Sequence, residues 1–331
     1  MVPSPSLAEL FAPLATRDAA PAPCSDVAGM LARLAPSSEL AAIPSARRAA
    51  IAGAGADRLG VAFVAGYAAA LERLVPGLGP RACLAATEQG GAHPRAIATR
   101  LEGDRVTGEK TFATLATSAE RMLVVATENV QDARDRPSLR VVVVRTDAPG
   151  VTIAPRGPTP FAPEVPHARV TFERAPVERV LPGDGYDLYL KPFRTIEDVH
   201  VVAAALGYAT RLARLHPSRD ALRPIVERAV ALIFALSAIA DEPVTGGASA
   251  ATHLALAGVL SGAHALFGEL STALASPHDE LDELDERDER DRRADLLAEL
   301  GRFERDRPLL LVAQNARDAR RVSAWDAVAR A

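Results

Sequence analysis

Arg105-Val106-Thr107-Gly108, Met122-Leu123-Val124-Val125-Ala126-Thr127 and Leu139-Arg140-Val141-Val142-Val143-Val144-Arg145-Thr146 are short runs rich in β-branched residues, set apart by Gly, Pro and Asp. Val151-Thr152-Ile153 and Arg169-Val170-Thr171-Phe172 continue the series. Such runs, bounded by turn formers and lacking helical periodicity between them, predict strands of an antiparallel barrel or sandwich. The first reads as a strand entering a turn at Gly108. A shorter apolar run, Arg81 to Thr87, precedes it. The helical crossovers of a doubly wound sheet are missing, which argues against a Rossmann arrangement.

Outward from this zone the period changes to that of helices. On the N-terminal side, Ser6 to Ala12 and Ser25 to Leu34 are short apolar-periodic segments, and Ala56 to Leu74 is a longer one. In the last, Leu59, Ala62, Phe63, Tyr67, Ala70, Leu71 and Leu74 recur at i, i+3/i+4 spacing. Gly66 falls on that apolar face, where it allows another helix to approach closely. On the C-terminal side, Thr195 to Leu215 starts with Thr195 as expected N-cap and Asp198 three residues on. Ala221 to Ile239, Ala248 to Leu274 and Asp279 to the end follow, the last broken at Pro308. The predicted class is α+β: N-terminal helices over 1–80, a central antiparallel β-barrel or sandwich domain over 81–183, and a C-terminal helical bundle over 184–331.

Composition narrows the function classes. Thirty-eight Lys and Arg stand against 42 Asp and Glu, a net charge of −4. The acidic Asp279–Asp295 segment is best read as a solvated helix with intrahelical ion pairs. No broadly basic surface for nucleic acid is expected. Two cysteines, Cys24 and Cys83, exclude a disulfide scaffold and fit a reduced, cytoplasmic setting. No signal peptide and no membrane span are expected. No metal-ligand spacing stands out, and no metal is expected.

Motifs say more. Ala86-Thr87-Glu88-Gln89-Gly90-Gly91 is followed by Val106-Thr107-Gly108-Glu109-Lys110-Thr111-Phe112-Ala113-Thr114, then by Ala119-Glu120-Arg121-Met122-Leu123-Val124-Val125-Ala126, Pro149-Gly150-Val151, Val170-Thr171-Phe172-Glu173-Arg174-Ala175-Pro176-Val177 and Leu181-Pro182-Gly183-Asp184-Gly185. In this order and spacing the series resembles the acyl-CoA dehydrogenase family over roughly residues 60–210. The resemblance implies an FAD-dependent oxidoreductase of lipid metabolism that removes the α and β hydrogens of an acyl thioester carried on coenzyme A or an acyl carrier protein. It also implies an electron-accepting flavoprotein as partner and a homo-oligomer, or a heteromer with another dehydrogenase subunit.

Carried over residue by residue, the resemblance places Leu84, Ala85, Ala86 and Thr87 along the flavin, Phe112 beside its ring, and Ala113 and Thr114 near the reactive nitrogen. A flat apolar ring suits an aromatic wall, and its polar edge suits hydrogen-bond donors. Read without the resemblance, Thr87 and Thr114 are ordinary strand residues. His93, in the Ala92-His93-Pro94 that replaces the family's Gly-Ser-Asp, is a candidate substrate contact or a plain surface histidine.

The family's usual C-terminal glutamate base is missing, as is its adenine-side Arg and Phe-Gly motif. Some members carry the base instead in a Glu-Arg pair ten residues before the Gly of a Leu-Gly. Counting back from Leu206-Gly207 reaches Glu197, with Asp198 in place of Arg and His200 one turn on as an expected hydrogen-bond partner. Glu197 is thus the candidate catalytic base; as a plain sequence feature it is a first-turn acid favoured by the helix dipole. These departures leave two alternatives open. One is a non-catalytic or half-site subunit of a heteromeric acyl-CoA dehydrogenase; the other is a flavin oxidase or monooxygenase on the same fold.

Overall fold

A computed structural model describes residues 22–34, 43–131, 137–216, 222–242, 248–275 and 286–330, with Ala12 and Leu14. Helices α1 (Val27–Arg33), α2 (Ser45–Ala54) and α3 (Leu59–Leu74) come first. Strands β1 (Ala82–Ala85), β2 (Arg100–Glu102), β3 (Arg105–Thr114), β4 (Arg121–Gln131), β5 (Pro137–Arg145), β6 (Val151–Pro155), β7 (His167–Pro176) and β8 (Arg179–Val180) follow. A π-helical turn, Tyr186–Leu190, leads into α4 (Lys191–Leu215), then α5 (Arg223–Asp241), α6 (Ala250–Ala275) and α7 (Glu286–Asp306). A 3-10 turn at Arg307–Leu311 precedes α8 (Gln314–Val328), so the chain does break at Pro308. Ser6 to Phe11 of the expected first helical segment, residues 279–285 of the acidic segment and most side chains of its remainder lie outside the described residues.

The strands form one sheet in the order β6-β7-β3-β2-β4-β5-β8, with β1 beside β4. It is mainly antiparallel, as expected, but two pairings are parallel: β1 with β4 and β2 with β4. Gly108 does not end its strand. It sits at φ +150° beside a register shift in the β3–β7 ladder, and β3 runs on to Thr114. A Cβ here would lie 2.6 Å from the Thr99 Cα, so glycine serves a bulge rather than a turn. That continuation brings Phe112 and Thr114 to the far end of the strand.

Helix α4 lies in the middle of the helical layer, packed on α2, α3 and α5. Three glycines set its depth. A Cβ on Gly66 would meet the Val201 Cα at 2.5 Å, one on Gly53 the Ala204 carbonyl oxygen at 2.0 Å, and one on Gly207 the Ala50 carbonyl oxygen at 1.9 Å. These are backbone neighbours that cannot swing aside, so α2 and α3 reach α4 main chain to main chain. The close approach expected at Gly66 is present.

Thr195 is not the N-cap of this helix. Lys191 opens it with Pro192 in its first turn, a position suited to proline because its missing N–H has no partner there anyway. Thr195 is buried inside the helix, and its hydroxyl oxygen accepts from Arg320 at 3.4 Å.

Helix α6 is long and apolar enough, by length and composition alone, to cross a membrane, although the sequence offers no unbroken apolar run of that length. It packs on α5 and α8 through Leu256, Ala263, Leu266, Phe267, Leu270 and Leu274, but only 22% of its most apolar window is buried within this chain.

Candidate active site

The loop after β1 is tied to β3 by a buried ion pair. Glu88 Oε1 lies 2.5 Å from Lys110 Nζ, and both side chains are almost wholly withdrawn from solvent. Lys110 also donates to the Val125 carbonyl at 2.6 Å. Glu88 further accepts from the Ala98 N–H, the Thr99 N–H and the Thr99 hydroxyl. Burial pushes the lysine pKa down to about 8 against the pull of Glu88. Burial alone would raise Glu88, but Lys110 and these donors hold it below the ordinary carboxylate value. The Thr111 N–H donates to the Thr87 carbonyl at 2.9 Å, and Thr87 faces Phe112 across an antiparallel bridge.

Phe112 therefore emerges at a defined place. It stacks on His167, ring centroids 4.3 Å apart and 27° between planes, and the Arg156 guanidinium lies 5.6 Å from its centroid. His167 stands opposite Thr114 in the β3–β7 register. Among the described residues nothing partners its buried Nδ1, and burial with the nearby Arg156 charge keeps the ring neutral near pH 7.

Phe112, Thr114 and His167 form one wall of a cleft of about 210 Å³ between the sheet and the helical layer. Phe63 from α3 and Phe161 add aromatic surface, Thr159 adds a hydroxyl, and Glu197 with Asp198, Val201 and Arg317 closes the helical side.

Glu197 is half-buried and lines the cleft. Burial, reinforced by the neighbouring Asp198 charge and only partly offset by Arg317 and Arg320, raises its carboxyl to about pKa 7. Among the described residues no hydrogen bond or ion pair holds that carboxyl. His200, the expected partner, is turned away. Its Nδ1 donates to the Ile196 carbonyl at 2.7 Å, which leaves Nε2 to accept the Ser45 hydroxyl at 2.8 Å, and burial keeps the imidazole neutral with a pKa near 4. Asp198 has a separate task. Its Oδ1 accepts from Arg317 Nε at 2.9 Å and Nη2 at 2.7 Å, and Arg320 donates to Oδ2. The acid standing where the resemblance expects Arg is thus answered by two arginines from α8.

The other sequence-predicted residues lie at varying distances from the cleft. Thr87 joins it through its bridge to Phe112. Ala85, Ala86 and Ala113 are buried in the core. The Leu84 N–H donates to the Tyr67 hydroxyl oxygen at 3.0 Å, which joins β1 to α3. His93 is exposed, its Nδ1 accepts the Arg95 N–H, and it does not line the cleft. His167, Phe63, Phe161 and Arg317 are the cleft residues that sequence reasoning passed over. Strand register brings in His167 and the return of α8 brings in Arg317, while Phe63 comes from α3 and Phe161 from the loop before β7.

Residues 83–175 match the model of the acyl-CoA dehydrogenase middle domain. The chain has the acyl-CoA dehydrogenase fold, and its middle domain belongs to that family. An acyl-CoA dehydrogenase from Geobacillus kaustophilus superposes with a TM-score of 0.57 at 17% identity, covering 91% of this chain and 89% of that one. FkbI, for biosynthesis of the methoxymalonyl extender unit of Fk520, gives 0.63 at 17% identity over 98% and 96%. FMN-bound TdsC from Paenibacillus sp. A11-2 gives 0.60 at 16% over 85% and 82%. No curated protein matches the chain in sequence. In this acyl-CoA dehydrogenase fold the cleft lies where the middle-domain sheet meets α3 and α4.

Proposed function

We propose that the chain is a flavin-dependent dehydrogenase of acyl thioesters in which Glu197 takes the α-proton. The observation that carries this reading is the meeting of an unbonded, desolvated carboxyl from α4 with the aromatic wall of β3 and β7 in one cleft. A general base works best when its pKa lies near the operating pH.

The cleft suits a flavin. Three phenylalanines offer apolar surface to a flat ring, Thr114 offers a hydroxyl donor, and the unpartnered His167 Nδ1 leaves a polar atom in the wall for a ligand to meet. Phe112, Thr114 and His167 would hold it, with Thr87 at the adjoining loop. When bound, the flavin supplies the two-electron oxidant that accepts the β-hydrogen as hydride. Glu197 accepts the α-proton on a carboxylate oxygen. Phe63 and Val201 give the cleft apolar surface on the same side as Glu197. FAD is the flavin we favour, with FMN the outcome to be distinguished by extraction and mass measurement.

The test is anaerobic addition of acyl thioesters to the flavin-loaded chain. Bleaching of the flavin absorbance is expected, with a rate set by ionised Glu197. The carboxylate is the active form, so the rate rises with pH through about 7 and levels above it. A flavin that stays oxidised with every thioester, or a rate that falls as pH rises through this range, overturns the reading.

We also propose a homo-oligomer formed through α6 and α8. The outer face of α6 is open and made mostly of small residues with half-exposed Leu254, Val259 and Leu260, and Val322, Trp325 and Val328 are exposed on α8, which packs on α6. Contiguous apolar surface of this kind marks a contact face. Light scattering at micromolar concentration is expected to give at least a dimer; a monomer throughout counts against it. Both cysteines are buried and unpaired, and we place the protein in a reducing, cytoplasmic setting.

A further inference from the structure

Leu309, Val312 and Ala313, in and just after the 3-10 turn Arg307–Leu311, line the candidate active site. Each end of this stretch is tied to a different wall of the cleft. At its start, Asp306 is fully buried, and its Oδ1 accepts the Ala162 N–H at 2.8 Å. Ala162 belongs to the loop 156–166 between β6 and β7, which gives Thr159, Phe161, Ala162 and Val165 to the cleft. Arg305 braces this end: its Nε donates to Asp306 at 2.6 Å, and its Nη2 lies 3.7 Å from Glu164 in the same loop. At the other end, Arg317 donates through Nε and Nη2 to Asp198, the neighbour of Glu197 on α4, and through Nη1 to the Leu310 carbonyl.

A five-residue 3-10 turn has few bonds of its own, and Pro308 contributes no N–H to them. Packing fixes only part of it: Leu310 is buried, but Leu311 is 44% and Val312 69% exposed. The two anchors therefore decide where the turn lies. Both are charge-assisted bonds to buried carboxylates, stronger than neutral ones. Ala162 shows how firmly one of them holds. Its φ of +46° is a left-handed conformation disfavoured for a residue with a Cβ. Such a residue persists where its surroundings over-determine it, and the buried Asp306 oxygen is placed to receive its N–H.

We propose that Asp306 and Arg317 are positioning residues for the candidate active site, strapping the Phe161 loop to α4 across the turn and so fixing the width of the cleft between them. The bearing of that width on an acyl thioester rests on the dehydrogenase reading above.

The strap is tested without any ligand, by hydrogen exchange of the full chain, for the parent, Asp306→Ala, Arg317→Gln and the double variant. Each single substitution is expected to quicken exchange about ten-fold or more both at its own end and at the far one, with the β4–β5 ladder unchanged. Arg317→Gln thus loosens residues 156–166, although it makes no bond to them. The double variant is expected to exchange within about two-fold of the faster single one, because one lost anchor already frees the strap. Faster exchange confined to the substituted end, or no change, overturns the proposal. The second readout is affinity for octanoyl-coenzyme A. It is expected to fall about ten-fold in Asp306→Ala and Arg317→Gln, and to stay within about two-fold of the parent in Asp306→Asn, which keeps an oxygen for the Ala162 N–H. Coupled exchange with unchanged affinity in the first two variants overturns the positioning role. A parent chain that does not bind octanoyl-coenzyme A overturns the dehydrogenase reading instead, while coupled exchange still upholds the strap. If Asp306→Ala does not fold, Asp306→Ser, whose side chain is one atom shorter, is measured by the same criteria.

Discussion

Glu197→Gln is expected to slow reduction of the bound flavin by an acyl thioester by about two to four orders of magnitude, the usual scale for deleting a general base. The amide keeps the shape of the side chain but cannot take a proton. Folding is expected to be preserved, because no donor among the described residues relies on this carboxyl. The sign of the stability change follows from its protonation. Burial sets the folded value at about 7, above the ordinary carboxylate value of 4.5. The folded protein therefore binds the proton more tightly than the unfolded chain, and stability falls as pH rises through that window. The Gln variant lacks this loss, so above pH 7 it is expected to be no less stable than the parent. Stopped-flow absorbance checks the rate and denaturant unfolding the stability. Flavin reduction at the parent rate removes Glu197 from the mechanism.

Lys110→Met is expected to destabilise the chain by about 3–5 kcal/mol, because it leaves the buried Glu88 carboxylate without its cation. The Ala98 and Thr99 donors remain, but none brings a charge. The double variant Lys110→Met with Glu88→Gln is expected to recover part of the loss, since an apolar group beside a neutral amide avoids the unpaired charge. The local effect is expected at Phe112, two residues along the same strand, so flavin affinity falls as well. Urea unfolding of the single and double variants checks this. A single variant within about 1 kcal/mol of the parent shows that the pair adds little to stability.

The central strands were readable because β-branched runs between turn formers have few other uses. The helices flanking them were readable from their 3.6 period. Gly108 misled because a glycine at a bulge and a glycine at a turn look the same along the chain; only the partner strand, far along the sequence, tells them apart. Thr195 misled because a hydroxyl before an apolar stripe is a good cap signal, yet Pro192 three residues earlier marks the true start of the helix. Glu197 could be located by its offset from Leu206-Gly207, whereas the company it keeps could not. His167 reaches Phe112 through strand register, and Arg317 reaches Asp198 across more than a hundred residues. Such meetings are properties of the closed topology and leave no local pattern. His200 shows the converse: one helical turn puts it near Glu197 in sequence, but the ring prefers a main-chain carbonyl and the Ser45 hydroxyl.

The contact of α4 with α2 and α3 through Gly53, Gly66 and Gly207 divides the cleft into a part that can be redesigned and a part that cannot. Helix α4 rests there on atoms common to every amino acid, so exchanging the larger side chains around it leaves its height over the sheet unchanged. Phe63, Phe161 and Thr159 stand outside those contacts while still bordering the cleft. Substrate preference can therefore drift at these three positions, through evolution or in the laboratory, with the proton acceptor remaining in register with the oxidant.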